Sequence, residues 1–133
     1  HHPTAVRGSV EAIRARYPGR RLLAIFEPRS NTSRRRVFQK AYVDALAGAD
    51  QVFVQRVPDG PIYSATGEVR ERFSADELAE DLRLRGVAAL SLDGVEAIVE
   101  ELAREAKPGD VVVTMSNGAF GNIWEKLLRA LGQ

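Results

Sequence analysis

Apolar side chains recur along this chain at two spacings, and the alternation between them divides it into elements. Val6, Val10, Ile13 and Tyr17 follow one another at intervals of four, three and four, the repeat of one helical face. Pro3 suits the first turn of that helix, where its missing N–H costs nothing, and Pro18-Gly19 ends it. The period then collapses into a continuous apolar run, and Arg21 to Phe26 reads as a buried strand. Phe38, Ala41, Tyr42, Ala45 and Leu46 predict a second helix, closed by Gly48, and Gln51 to Gln55 a short strand. Val57-Pro58-Asp59-Gly60-Pro61 is turn chemistry. Ile62-Tyr63-Ser64 reads as a brief edge strand or an extended loop.

Two later helices carry start signals. Ser74 with Glu77, and Asp93 with Glu96, place an oxygen-bearing cap residue three positions before a glutamate, the pattern of a reciprocal capping box. Leu78 and Leu82 face the core in the first of them, and Val95, Ile98, Val99 and Leu102 in the second. Val87 to Leu92 lies between them as a strand, and Val111 to Met115 is the clearest strand of the chain. Phe120, Ile123, Leu127, Leu128 and Leu131 predict a final amphipathic helix. Strands alternating with helices imply right-handed crossovers, hence a Rossmann-like α/β fold with a mainly parallel sheet and helices on both faces. Neither an internal repeat nor a linker interrupts the pattern, so residues 1–133 read as one domain.

Charge and composition narrow the function. Nineteen Lys and Arg stand against 18 Asp and Glu, a formal charge of +1, which argues against a nucleic-acid or membrane-surface binder. No apolar run approaches a membrane span, and no secretory signal opens the sequence. The absence of cysteine excludes disulfides, thiolate zinc sites and a cysteine nucleophile, and fits a reducing, cytoplasmic setting. The two histidines are His1 and His2, which read as a tag scar or as native sequence. No Gly-x-x-x-x-Gly-Lys-Ser/Thr loop is present, and no metal-ligand set or complete catalytic set emerges.

Open parallel sheets bind ligands beyond the carboxyl ends of their strands, and two such segments are unusual. The first is Glu27-Pro28-Arg29-Ser30-Asn31-Thr32-Ser33. Its hydroxyl and amide side chains can cap the next helix while free backbone amides face an anion, and Arg29 adds a planar fork for a carboxylate or phosphate. The second is Ser116-Asn117-Gly118-Ala119-Phe120-Gly121-Asn122, where two glycines permit a tight turn and close approach of a ligand. Each also has a plainer reading, as a helix cap with solvated arginines and as a simple strand-to-helix turn. In a parallel sheet both loops open on one edge, so Arg29 and Ser116 are expected to share a site. Arg34 to Arg36 and Glu100-Glu101 read as solvated faces, and Trp124 as a packing residue.

Over Leu22 to Ser33 and Val111 to Gly121 the sequence resembles the C-terminal domain of Mur ligases, the ATP-dependent amide-forming enzymes of bacterial peptidoglycan. The resemblance rests on Phe26-Glu27-Pro28-Arg29-Ser30-Asn31-Thr32 and on Met115-Ser116-Asn117-Gly118 with Phe120 and Gly121. His1-His2-Pro3-Thr4 is similar to the segment where the family passes from its central to its C-terminal domain, which favours native histidines. Within the family the pattern is similar to the recycling branch that joins UDP-N-acetylmuramate to the tripeptide L-alanyl-γ-D-glutamyl-meso-diaminopimelate. The Phe-Gln-Pro-His-Arg of the alanine-adding branch and the Asp-Asn-Pro-Arg of the diaminopimelate-adding branch are absent.

The resemblance implies a substrate-binding domain whose catalytic residues, ATP site and Mg2+ ligands belong to upstream UDP-binding and ATP-binding domains, with no metal bound here and the isolated domain inactive. It implies carboxylate contacts from Arg29, Ser30, Asn31 and Thr32, a peptide lining of Ser116, Asn117, Gly118 and Phe120, and His2 on the ATP side. The alternatives are an alanine-adding Mur ligase and a stand-alone anion-binding α/β module.

Overall fold

In the computed structural model of the chain, which describes residues 3–27, 39–56, 63–64, 67–68, 75–115 and 123–131, helices and strands alternate as the periodicity predicts. In order they are α1 (Pro3–Arg16), β1 (Leu22–Phe26), α2 (Gln39–Leu46), β2 (Gln51–Gln55), β3 (Tyr63–Ser64) and β4 (Gly67–Glu68). They continue with α3 (Ala75–Leu84), β5 (Ala88–Leu92), α4 (Gly94–Glu105), β6 (Val111–Met115) and α5 (Ile123–Ala130). β1, β2, β5 and β6 form one parallel sheet in the order β5-β2-β1-β6.

Strand alternation divides the core in two. Leu22, Ala24 and Phe26 of β1 and Val52 and Val54 of β2 point to one face, where Val6 and Val10 of α1, Tyr42 and Leu46 of α2 and Leu78 and Leu82 of α3 cover them. Leu23, Ile25 and Phe53 point to the other, against Ile98 and Leu102 of α4 and Ile123 and Leu127 of α5. All five residues of β1 are buried, as a central strand covered on both faces requires. From β1 through β2 to β5 the chain steps one way, its helices on the first face. It then returns across the sheet to β6 with α4 on the second. Reversing direction and face together preserves the hand of the crossover.

The amino edge of the sheet is stitched by side chains distant in sequence. Arg21 donates from Nη2 to Asp110 Oδ2 at 2.8 Å and to the Glu105 carbonyl at 2.6 Å. Asp110 also accepts from the Lys107 amide at 2.8 Å. The Arg21 hydrogen bond leads in holding the Asp110 carboxyl below its ordinary range; burial opposes it, and the Lys107 amide assists. Asp50 Oδ2 accepts from the Leu22 amide at 2.7 Å and pairs with Arg14 at 2.9 Å. Burial pushes the Asp50 carboxyl up, but the Leu22 amide and Arg14 outweigh it and leave the group below its usual range.

Several expectations need correction. Tyr17 does not extend the buried face of α1: the helix stops at Arg16, and the Tyr17 ring is 38% exposed between the guanidiniums of Arg16 and Arg20. Asp93 occupies the N-cap position of α4 without a side-chain cap bond; its carboxylate pairs with Arg56, and Glu96 pairs with Lys126. Leu128 and Leu131 are exposed, so the buried stripe of α5 is Ile123 and Leu127. Tyr63–Ser64 pairs antiparallel with Gly67–Glu68 in a separate ribbon rather than lining the main sheet. Val111 to Thr114 are only half-buried because β6 is an edge strand. Phe38, Ser74, Arg34 to Arg36 and the side chain of Trp124 lie outside the described residues.

Candidate functional site

The strand order 5-2-1-6 reverses its connections between β1 and β6. β1 leads leftward through α2 on one face, whereas β6 is reached from the far side of the sheet through α4 on the other. Helices leaving this pair diverge to opposite faces, and that reversal is where open α/β sheets present a crevice at their carboxyl edge.

Register aligns the strand ends that precede the two candidate segments. Phe26 is the partner of Met115 in the β1–β6 ladder, and the Glu27 amide extends the pairing by donating to the Met115 carbonyl at 3.0 Å. The chain thus enters segment 28–38 and segment 116–122 from adjacent strands, about 4.8 Å apart. The expected proximity of strands 21–26 and 111–115 is borne out by this pairing. The side chains named from the sequence, Arg29, Ser30, Asn31, Thr32, Ser116, Asn117, Gly118, Phe120 and His2, lie outside the described residues.

Beside this opening, at the carboxyl ends of β2 and β5, stands a polar group that the sequence reading missed. The Arg56 amide donates to the Leu92 carbonyl at 2.9 Å, fixing the first residue beyond β2 against the last of β5. Its side chain donates from Nε to Asp76 Oδ1 at 3.0 Å and from Nη1 to Asp93 Oδ2 at 2.8 Å. Ser91 donates its hydroxyl to the same Asp76 oxygen. That hydroxyl, followed by Arg56, holds the Asp76 carboxyl below its ordinary range. The neighbouring Gln55 carries a buried side-chain oxygen with no hydrogen-bond partner among the described residues. The available signal was positional: Gln55-Arg56 ends a strand on the ligand edge, but the Pro-Asp-Gly-Pro turn after it drew the reading.

The donor set indicates what this edge accepts. Glu27, Asp76 and Asp93 all belong to it, and carboxylates repel a triphosphate. Asp76 and Asp93 are both paired with the Arg56 guanidinium, so the described part of this edge offers cationic as well as carboxylate groups. Among the described residues, no cluster of three or more His, Cys, Asp or Glu is placed to hold a metal ion, and no helix is long and apolar enough to cross a membrane.

Residues 1–118 match the family described as Mur ligase, glutamate ligase domain. Over 130 residues, 97% of this chain, it is 32% identical to a UDP-N-acetylmuramate–L-alanine ligase of Burkholderia multivorans, of which it spans 27%. Over its whole length it is 32% identical to the UDP-N-acetylmuramate–L-alanyl-γ-D-glutamyl-meso-2,6-diaminoheptandioate ligase of Escherichia coli K12, of which it spans 26%. The chain thus covers about a quarter of the length of these curated relatives.

Among solved structures, a domain of a tripeptide ligase of the same kind from Haemophilus ducreyi superposes with a TM-score of 0.70 at 34% identity. The match covers 98% of this chain and 85% of that one. A murein peptide ligase of Psychrobacter arcticus superposes with a TM-score of 0.77 at 29% identity, over 100% of this chain and 26% of that one. Sequence match and topology together establish that the chain belongs to the Mur ligases, as their C-terminal domain.

Proposed function

We propose that residues 1–133 form the domain that receives the incoming amine substrate in an ATP-dependent ligase acting on UDP-N-acetylmuramate, and that this substrate is the tripeptide L-alanyl-γ-D-glutamyl-meso-diaminopimelate. The observation that carries the reading is the β1–β6 register, from which Glu27-Pro28-Arg29-Ser30-Asn31-Thr32 and Ser116-Asn117-Gly118 both depart. The ATP and Mg2+ sites belong to domains upstream in the longer protein, with His2 on their side. A role in cytoplasmic peptidoglycan recycling accompanies this substrate.

The chemistry suits such an edge. The tripeptide's α-amine, with a reference pKa near ~8, must be unprotonated to attack an activated carboxyl group, so its binding site cannot hold it as an ammonium salt. Contacts with the distant carboxylates leave it free. Arg29, Ser30, Asn31 and Thr32 serve those carboxylates with guanidinium, hydroxyl and amide donors. Ser116, Asn117, Gly118 and Phe120 line the peptide.

The tripeptide is favoured by the Glu-Pro-Arg-Ser-Asn-Thr sequence and by the relatives from Escherichia coli and Haemophilus ducreyi, which are ligases for it by name. A second reading, addition of L-alanine, draws on relatives of equal identity that bear that activity. A ligation assay on the full-length enzyme decides between them. The tripeptide reading expects efficient ligation of free tripeptide and poor ligation of L-alanine, and the reverse preference overturns it. In the same assay Arg29→Ala is expected to raise KM for the tripeptide about ten- to a hundredfold, the loss of one charge-assisted pair. Arg29→Lys recovers part, since an ammonium lacks the two-pronged geometry. An unchanged KM in a normally folded Arg29→Ala enzyme removes Arg29 from the site.

A further inference from the structure

The sheet ends at β6 with its hydrogen-bonding edge open. The Val111 amide donates to the Arg21 carbonyl at 2.9 Å, and the Met115 carbonyl accepts from the Glu27 amide at 3.0 Å. Residues 111, 113 and 115 therefore turn their backbone groups toward β1, and alternation turns those of Val112 and Thr114 outward. Neither residue's amide or carbonyl has a partner among the described residues. The opposite edge is treated differently. The Leu92 carbonyl of β5 faces β2, where it accepts from Arg56, so Ala89 faces outward, and Arg83 of α3 donates from Nη1 to its carbonyl at 2.7 Å. Native edge strands are guarded by charge, proline or a bulge. Val111-Val112-Val113-Thr114-Met115 has no charge or proline and pairs with β1 in unbroken register. A cleft of about 290 Å³, lined in part by Ala106, Pro108, Val112 and Leu131, opens beside this edge.

Connectivity says what fits there. α1 lies on the first face, where Val111 and Val113 pack against the cluster that holds its Val6 and Val10, and it feeds directly into β1. On that same face α2 carries the chain from β1 to β2, away from β6. A helix on this face that delivers the chain to β1 with the same hand comes from a strand on the other side of β1. β6 holds the adjacent place, so the vacant place is beyond it. We infer that, in the longer protein, a strand just upstream of α1 pairs with the outer edge of β6 and adds a fifth strand to the sheet. α1 runs against the strands to reach the amino end of β1, which makes the strand before it parallel to β6. Val112 and Thr114 then receive the partners that this chain alone does not supply. The Haemophilus ducreyi domain carries further chain, since the match spans 98% of this chain but 85% of that one. The inference rests on the reading of residues 1–133 as one domain of a longer ligase, and is independent of which amine substrate that ligase takes.

Hydrogen–deuterium exchange on the full-length enzyme, resolved to single amides, tests this. The Val112 and Thr114 amides are expected to exchange at least about a hundredfold more slowly than free amides, as Val113 and Met115 do. The stretch directly upstream of Pro3 is expected to be protected with them, and the protection to persist on dilution to monomer. Exchange of Val112 and Thr114 within about tenfold of the free rate, beside slow Val113 and Met115, overturns the inference. Protection that is lost on dilution also overturns it, and assigns the edge to a second copy pairing β6 with β6. Protection of β6 beside a freely exchanging upstream stretch overturns it too, because the cover then comes from another part of the protein. A ligation assay on the same preparation keeps the two readings apart. An enzyme that ligates neither the tripeptide nor L-alanine overturns the proposed function and leaves the exchange pattern to decide the strand.

Discussion

Replacing Asp110 tests whether the amino edge sets the β1–β6 register from which the crevice arises. Its carboxylate accepts two bonds from Arg21, at 3.2 and 2.8 Å, and one from the Lys107 amide at 2.8 Å. Its side chain is 10% exposed, whereas that of Arg21 is 34% exposed. Hydrogen bonds to charged groups contribute about 1.5–3 kcal/mol, and solvent around Arg21 places this pair at the lower end. Arg21 also keeps its bond to the Glu105 carbonyl in the variant, so no uncompensated cation results. Asp110→Ala is therefore expected to cost about 2 kcal/mol at pH 7. Asp110→Asn, whose amide oxygen still serves Lys107, should cost about 1 kcal/mol. With a urea m-value of about 2 kcal/mol per molar, the alanine variant unfolds about 1 M earlier.

The pH dependence gives a second, independent reading of the same pair. The folded carboxyl lies below its usual value of 3.8. Its stabilisation is present in full above the unfolded value and is lost as pH falls through the folded one. The gap between wild type and Asp110→Ala should hold from pH 7 to about 5 and narrow below about 4. A gap under about 0.5 kcal/mol at neutral pH, or one undiminished in acid, would refute the reasoning.

Two other positions give readable outcomes. At Gly48 an added Cβ would meet Val10 Cγ1 at 2.9 Å, between α1 and the end of α2, so Gly48→Ala is expected to destabilise the domain by about 1–3 kcal/mol; thermal melts of Gly48→Ala with and without Val10→Ala check it, since the truncated partner should recover part of the loss. Tyr42 is fully buried with its ring 4.8 Å from Phe26, and burial pushes its phenol up to about 12. Stability is thus complete below the unfolded tyrosine value near ~10 and declines as pH rises toward 12. Ultraviolet titration should show a late ionisation step that Tyr42→Phe lacks.

How much of this was legible in the sequence depends on the range of the interaction involved. The β1 run Leu22 to Phe26 declares itself, because a strand buried on both faces needs no polar position. Three consecutive valines at Val111 look equally central, yet β6 lies at the edge. A strand's apolar run does not encode how many neighbours it has. Asp93 shows the same limit. Locally it is a cap residue, and its actual partner, Arg56, comes from the end of another strand. For the candidate site, the sequence named two segments, and the topology shows that the strands leading into them, β1 and β6, are neighbours. The Arg56 group escaped notice because it gathers from the ends of β2 and β5 and the starts of α3 and α4.

The two edges of the sheet differ in how their described side chains are tied together. At the amino edge, Arg14–Asp50 and Arg21–Asp110 lock strand starts together, and both aspartates also accept a backbone amide. Their neighbours Pro18-Gly19 and Pro108-Gly109 form short turns, which leave little backbone free to vary. At the carboxyl edge the Arg56 group is solvent-exposed. On the proposed function, changes there alter which side chains reach the amine substrate without touching the pairs that hold the register. A fold built this way can keep one sheet and exchange its substrate. Substitutions should sort by edge: those at Arg14, Asp50, Arg21 and Asp110 should lower the urea midpoint while sparing KM in the enzyme that still folds. A substitution at Arg29 should raise KM for the amine substrate with the midpoint nearly unchanged. An amino-edge substitution that shifts KM at full stability would break this division and require coupling along the strands themselves.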